Sequence, residues 1–194
     1  MNTFEHDRYS YGWYLSEFDR MKREAESFVL SINDRQFGKR PDPDTWSVGE
    51  CYGHLNRFGE IYWKKIQKVL DNDPVKSGGE KTRFEPGFIW KAIIRFVEPP
   101  YRIKIKTVSP FNPEPTPQLD RQQVLLDYMQ VQDSFIAQLE ISRQKNIDLE
   151  KNRTNNPILT FLPMPLNACY GLVMAHQERH MWQARQILEH LRKA

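Results

Sequence analysis

Two histidines four residues apart, His176 and His180, are the residues of this chain best placed to do chemistry. That separation is a little over one helical turn, so both imidazoles lie on one face and each can aim a nitrogen at the same ion. Together with Gln183 they interrupt an otherwise apolar line: Leu166, Cys169, Val173, His176, His180, Gln183, Ile187, Leu191. Steps of three and four mark the buried stripe of a bundle helix. A buried polar group without a partner costs roughly 1–3 kcal/mol, so something inside the protein should bond to these rings. Hydrogen bonds from neighbouring helices would serve, but a shared divalent metal ion is the more economical answer.

A third ligand should then come from another helix. The chain has five histidines. His6 lies in a polar N-terminal segment, and His190 falls in the last turn of the final helix, where a partly charged imidazole suits the helix dipole. His54 lies in a second strongly amphipathic stretch and is the candidate. Three imidazoles with no fourth protein ligand leave an open coordination position, as in catalytic zinc sites. An ion so held can lower the pKa of water to ~7 or hold a thiolate. Zinc, nickel and iron all accept imidazole, so the metal's identity stays open.

Other polar residues near these positions have plainer readings beside the chemical one. Gln183, on the face of both helix-four histidines, could orient a ligand from behind or simply bond to a neighbouring helix. Glu50, one turn before His54, could be a general base or an extra ligand, although a capping role also explains it. Glu178 and Arg179 fall mostly off the inner face and are expected at the surface, solvated or paired. No catalytic residue is assigned beyond these candidates.

The elements that must position these residues are read from periodicity and breakers. A first helix spans about Arg8 to Asn33, with Leu15, Phe18, Met21, Ala25, Phe28 and Ile32 at helical spacing. A polar loop, Asp34 to Thr45, holds Pro41 and Pro43. Ser47 and Glu50 form the S-x-x-E capping box that starts helix two, and Trp46 precedes it as a staple against the first turn. Its core line is Val48, Cys51, Leu55, Phe58, Tyr62, Ile66 and Val69, which His54 borders. A long crossover, about 74–117, follows. Within it Phe88 to Val97 reads as a short apolar helix and Tyr101 to Val108 as extended chain. Pro110, Pro113, Pro115 and Pro117 keep the rest extended. The short helix is expected to be a lid or wall beside the metal pocket, with Trp90, Phe96 and Tyr101 at an apolar entrance. A place on a membrane surface is its alternative. Helix three runs from about Thr116 to Gln144 on the line Val124, Tyr128, Val131, Phe135, Leu139. A loop, Lys145 to Pro163, leads to helix four, Pro165 to Leu191. The expected fold is all-α: one domain over residues 1–194, a four-helix bundle with a long, partly helical crossover between helices two and three.

Bulk properties exclude several classes. The 194 residues carry a net charge of +3, with 39% hydrophobic and 27% charged residues. That charge is spread along the chain and too mild for a nucleic-acid partner. The N-terminal residues lack the apolar core of a secretory signal, and no apolar run is long enough to span a membrane. Cys51 and Cys169 are isolated on apolar faces, as reduced, buried residues of a cytoplasmic protein. Trp63, Trp182 and Tyr170 read as core or dimer-contact aromatics, and a homodimer is expected.

Trp46-Ser47-Val48-Gly49-Glu50 followed by His54-Leu55 resembles the W-S-x-x-E-x-x-x-H-L start of helix two in the DinB-like superfamily. His176-x-x-x-His180-x-x-Gln183 resembles its helix-four motif, and Phe111-Asn112-Pro113 ahead of helix three resembles one branch. The resemblance implies a four-helix bundle with a divalent metal on His54, His176 and His180, carried over by position. Some members of the family are thiol-dependent enzymes, including bacillithiol S-transferases and mycothiol-dependent isomerases. The expected function is thus metal-dependent activation of a thiol or water, for transfer to or hydrolysis of a small substrate. Thiol transfer with a low-molecular-weight thiol is preferred on the resemblance alone. The alternative is a non-catalytic dimeric binding module whose metal site is structural or vestigial.

Overall fold

Four helices of this chain start where a side chain satisfies an amide that a helix end leaves free. In the computed structural model, residues 8–78, 81–100, 107, 109, 111–113, 119–158 and 160–193 are described. Helix α1 (Tyr11–Leu30) begins after Ser10, whose Oγ accepts from the Trp13 amide at 3.0 Å. The expected polar loop after it contains a further short helix, α2 (Asp34–Gly38). A capping box starts α2: Asn33 Oδ1 accepts from the Gln36 amide, and Gln36 Oε1 accepts from the Asn33 amide. That box ends in Gln, which a search for S/T-x-x-E passes over.

Helix α3 (Val48–Leu70) has the expected box: Ser47 Oγ accepts from the Glu50 amide at 3.1 Å and Glu50 Oε2 accepts from the Ser47 amide at 2.8 Å. Helix α4 (Phe88–Val97) matches the short apolar segment of the crossover. Helix α5 (Arg121–Gln144) starts later than the expected Thr116, because Asp120 Oδ1 accepts from the Gln123 amide at 2.7 Å and caps it there. Most of Tyr101 to Val108, with Pro110, Pro115, Thr116 and Pro117, lies outside the described residues.

The expected loop between α5 and the last helix carries a small antiparallel pair, β1 (Arg153–Asn155) and β2 (Pro163–Pro165), with Thr154 opposite Met164. Asn152 ties this hairpin to the chain after α3, accepting from the Val75 amide at 2.9 Å and donating to its carbonyl at 2.8 Å. Pro165 closes β2 instead of opening the helix, and α6 (Leu166–Lys193) follows.

Helix α1 packs on α5 and α6, and α3 packs on the same two, so α1 and α3 occupy opposite corners of a four-helix bundle. Helix α4 lies outside the four, against α6, with Ile94 seated over Gly171. Every residue from Leu166 to Ala175 is therefore buried, because α1, α3 and α4 cover α6 from several sides. The narrow stripe read from sequence describes only one of those faces. Between α3 and α5 the backbones come close at Gly59, where a Cβ would stand 2.5 Å from Val131 Cγ1. In the centre Phe18 stacks on Phe135, with ring centroids 5.0 Å apart, and Tyr170 packs edge-on to both. Tyr170 is thus a core residue. Cys51 and Cys169 are free and buried, as expected. Among the described residues no helix is long and apolar enough to cross a membrane.

Candidate metal centre

Helices α3 and α6 are neighbours, and their packing places His54 opposite His176 and His180. One nitrogen from each of the three rings falls in a cluster whose members all lie within 4.8 Å of one another. His54 and His180 are buried and His176 is partly exposed. No other His, Cys, Asp or Glu among the described residues joins this group. His190 is exposed in the last turn of α6, and His6 lies outside the described residues.

Hydrogen bonds behind the rings set which nitrogens face inward. The Phe111 carbonyl lies 2.5 Å from His54 Nδ1. A carbonyl only accepts, so Nδ1 carries the hydrogen and Nε2 is left with a lone pair. Gln183 Oε1 lies 2.9 Å from His180 Nδ1 and selects the same tautomer there. His54 Nε2 is 2.8 Å from His176 Nε2. Either a hydrogen on His176 Nε2 is donated to that lone pair, or a cation satisfies both nitrogens at once. The donor set is therefore chemically suited to a divalent ion.

The rings are kept neutral, the form a metal requires. Burial lowers the pKa of all three, and that of His176 and His180 falls well below the ordinary imidazole value. The neighbouring imidazoles and the Arg179 guanidinium add to the shift at His176 and His180. The bond to Phe111 works against it at His54, and the bond to Gln183 at His180. Arg179 is buried, contrary to its expected place at the surface. Glu178, expected beside it, does pair near the surface, with Arg20 at 2.7 Å.

Aromatic rings enclose the cluster. Phe58 stacks on His176 with centroids 3.9 Å apart. Trp46 stands 5.0 Å from His54 and 5.7 Å from His180, and Phe111 backs onto Phe58 at 5.4 Å. Trp46 thus packs across the centre, where the sequence suggested a staple on the first turn of α3. Among the described residues none of these walls comes from α4: Trp90 is buried in the core and Phe96 is 54% exposed. Tyr101 lies outside the described residues. Trp63 is partly buried against the core, and Trp182 is also partly buried.

Glu50 is 1% exposed and fully engaged. Besides its cap it receives the Arg40 guanidinium, Nε to Oε2 at 2.8 Å with a second bond from Nη2 to Oε1. Sequence reasoning missed Arg40, the Phe111 carbonyl and Phe58 as part of the centre. Only Phe58 had a local signal, four residues after His54 on the same helix face.

The chain belongs to the DinB superfamily, whose family model matches residues 17–184. Among solved structures it is similar to YfiT from Bacillus subtilis, described as a probable metal-dependent hydrolase with an unusual four-helix bundle topology. The two share 13% sequence identity and superpose with a TM-score of 0.60, over 93% of this chain and 87% of that one. No curated protein matches the chain.

Proposed function

We propose that the chain is a metal-dependent enzyme acting on a small substrate, with His54, His176 and His180 holding a divalent ion through their inward nitrogens. One observation carries this reading. Neutral imidazoles from two helices converge on one point, and their outer Nδ1 atoms, at His54 and His180, are tied to acceptors. When bound, the ion supplies Lewis-acid chemistry, the activation of water or of a thiol for attack on an electrophile.

The chain's own residues do the rest. Phe111 and Gln183 fix ring orientation, while Phe58, Phe111 and Trp46 exclude water around the nitrogens and favour their uncharged form. Glu50 is held by Arg40 and the cap, which speaks against a role as general base. The description of YfiT as a probable metal-dependent hydrolase supports hydrolysis as the first chemistry to examine. Thiol transfer uses the same centre and stands beside it.

A purely structural site is the less supported reading. Structural zinc sites are closed by four protein ligands. Here three histidines cluster, and one of them, His176, is partly exposed. The test is turnover by protein loaded with zinc, nickel or iron(II), on a panel of small esters, amides and electrophiles, with and without low-molecular-weight thiols. Turnover that disappears in His176→Ala supports the proposal; stoichiometric metal with no turnover on any of them favours the structural reading.

A further inference from the structure

Of the three aromatic rings around the histidines, Phe58 and Phe111 are buried, at 4% and 3% exposure, while Trp46 is partly exposed. Trp46 is thus the one of the three rings whose residue also meets solvent. It belongs to the connection between α2 and α3, a stretch with no regular structure of its own. Beside the packing of Trp46 on the core, Arg40 ties that stretch to α3. Its guanidinium meets the buried Glu50 carboxylate in the two-pronged geometry that Arg favours, and its Nη1 donates to the Pro43 carbonyl at 3.0 Å. Glu50 in turn receives the Ser47 amide, next in the chain to Trp46. Asp42 shortens the path between them, its Oδ1 accepting from the Asp44 amide at 2.9 Å. The segment from residue 40 to residue 47 is thus pinned at both ends to one carboxylate, with Trp46 beside the second pin.

We infer that the Arg40–Glu50 pair is a positioning device that holds the Trp46 indole over His54 and His180, so that the centre takes ligands presenting a planar or apolar group beside their metal-binding atom. The ligand preference rests on the metal site proposed above; the positioning of the indole does not. Capping alone would need Glu50 but not Arg40, and the guanidinium reaches across ten residues to the same carboxylate. An indole face offers flat ligand groups a stacking surface, worth a modest factor in affinity.

The experiment has two arms. In the metal-free protein, nuclear Overhauser contacts are recorded between the Trp46 indole and the ring protons of His54 and His180. The Phe58–His176 contact serves as an internal control for folding. Arg40→Met is expected to abolish the Trp46 contacts while the control survives, and Arg40→Lys to restore them in part. Glu50→Gln, which keeps both capping hydrogen bonds but not the charge, is expected to weaken them and covers the case in which Arg40→Met does not fold. Trp46 contacts at wild-type intensity in folded Arg40→Met or folded Glu50→Gln overturn the positioning role.

In the second arm, benzohydroxamate and acetohydroxamate are titrated into zinc-loaded protein. The wild type is expected to prefer the aromatic probe by roughly 3- to 10-fold, and Arg40→Met and Trp46→Ala to lose that preference while still binding acetohydroxamate. An unchanged preference overturns the specificity role. Failure of zinc to bind at all would contradict the metal site itself, and the first arm would still decide the positioning.

Discussion

Phe58 lies flat against His176, with ring centroids 3.9 Å apart and planes 21° apart. One face of α3 thus supplies an imidazole, His54, and one turn later the surface on which an imidazole of α6 rests. Phe58→Ala should leave a cavity behind His176 and cost about 3–5 kcal/mol. Phe58→Leu, which fills more of the space, should cost roughly 1–2 kcal/mol. Urea unfolding of the two variants checks this, and equal losses would contradict a tightly packed stack.

Acid should destabilise the metal-free protein earlier than carboxylate titration alone would. His54, His176 and His180 all have folded pKa values below the free imidazole value. Their contribution is complete above about pH 6.5, where the unfolded rings are neutral too. It is lost as the pH falls from there through the folded values, because the unfolded chain then binds more protons. Each ring adds up to about 1.4 kcal/mol per pH unit in that window. Unfolding midpoints between about pH 7.5 and pH 5.5 should therefore drop, and drop less steeply in His176→Asn. A flat profile in the wild type, or identical slopes, would count against buried neutral rings.

Two glycines should respond differently to alanine. At Gly59 a Cβ would stand 2.5 Å from Val131 Cγ1, a short, stiff side chain between α3 and α5. At Gly171 it would meet only Ile94, with the terminal Cδ1 at 2.9 Å and Cγ1 at 3.8 Å, and that methyl can swing away about χ2. Gly59→Ala should lose roughly 1–3 kcal/mol in spite of its better helix propensity, and Val131→Ala in the same chain should recover most of that. Gly171→Ala should be near neutral. Similar melting temperatures for the two single variants would contradict the close approach of α3 and α5.

What the sequence made legible was local. The pair His176 and His180 four residues apart, the capping box at Ser47 and Glu50, and the apolar run Phe88–Val97 are all patterns within one helix or its first turn. The structure brings His54 to the pair because its stripe faces α6. What stayed hidden depends on parts of the chain far apart in sequence. The Phe111 carbonyl is a backbone atom 57 residues from His54, and no residue type marks it. Arg179 lies off the stripe read from sequence, yet packing of α6 buries it as well. The β1–β2 hairpin holds only three residues per strand, too few for an alternating pattern to stand out.

Gln183 should matter to metal affinity without touching the ion, because its Oε1 sets the tautomer of His180. Loss of such an orienting bond typically weakens metal binding about 10- to 100-fold. Gln183→Ala should show that loss in competition with a chromogenic chelator, and Gln183→Glu, which keeps an acceptor, should recover much of it. Equal affinity of the wild type and Gln183→Ala would remove Gln183 from the centre.

The proposed binding of a single ion by His54, His176 and His180 is tested most directly by elemental analysis of the wild type and of alanine variants at each position, after loading with zinc and desalting. One ion per chain is expected in the wild type, with most of it lost in His54→Ala, His176→Ala and His180→Ala and retained in His190→Ala. A wild type that takes up no stoichiometric ion, or a His54→Ala variant that keeps its full complement, would contradict it.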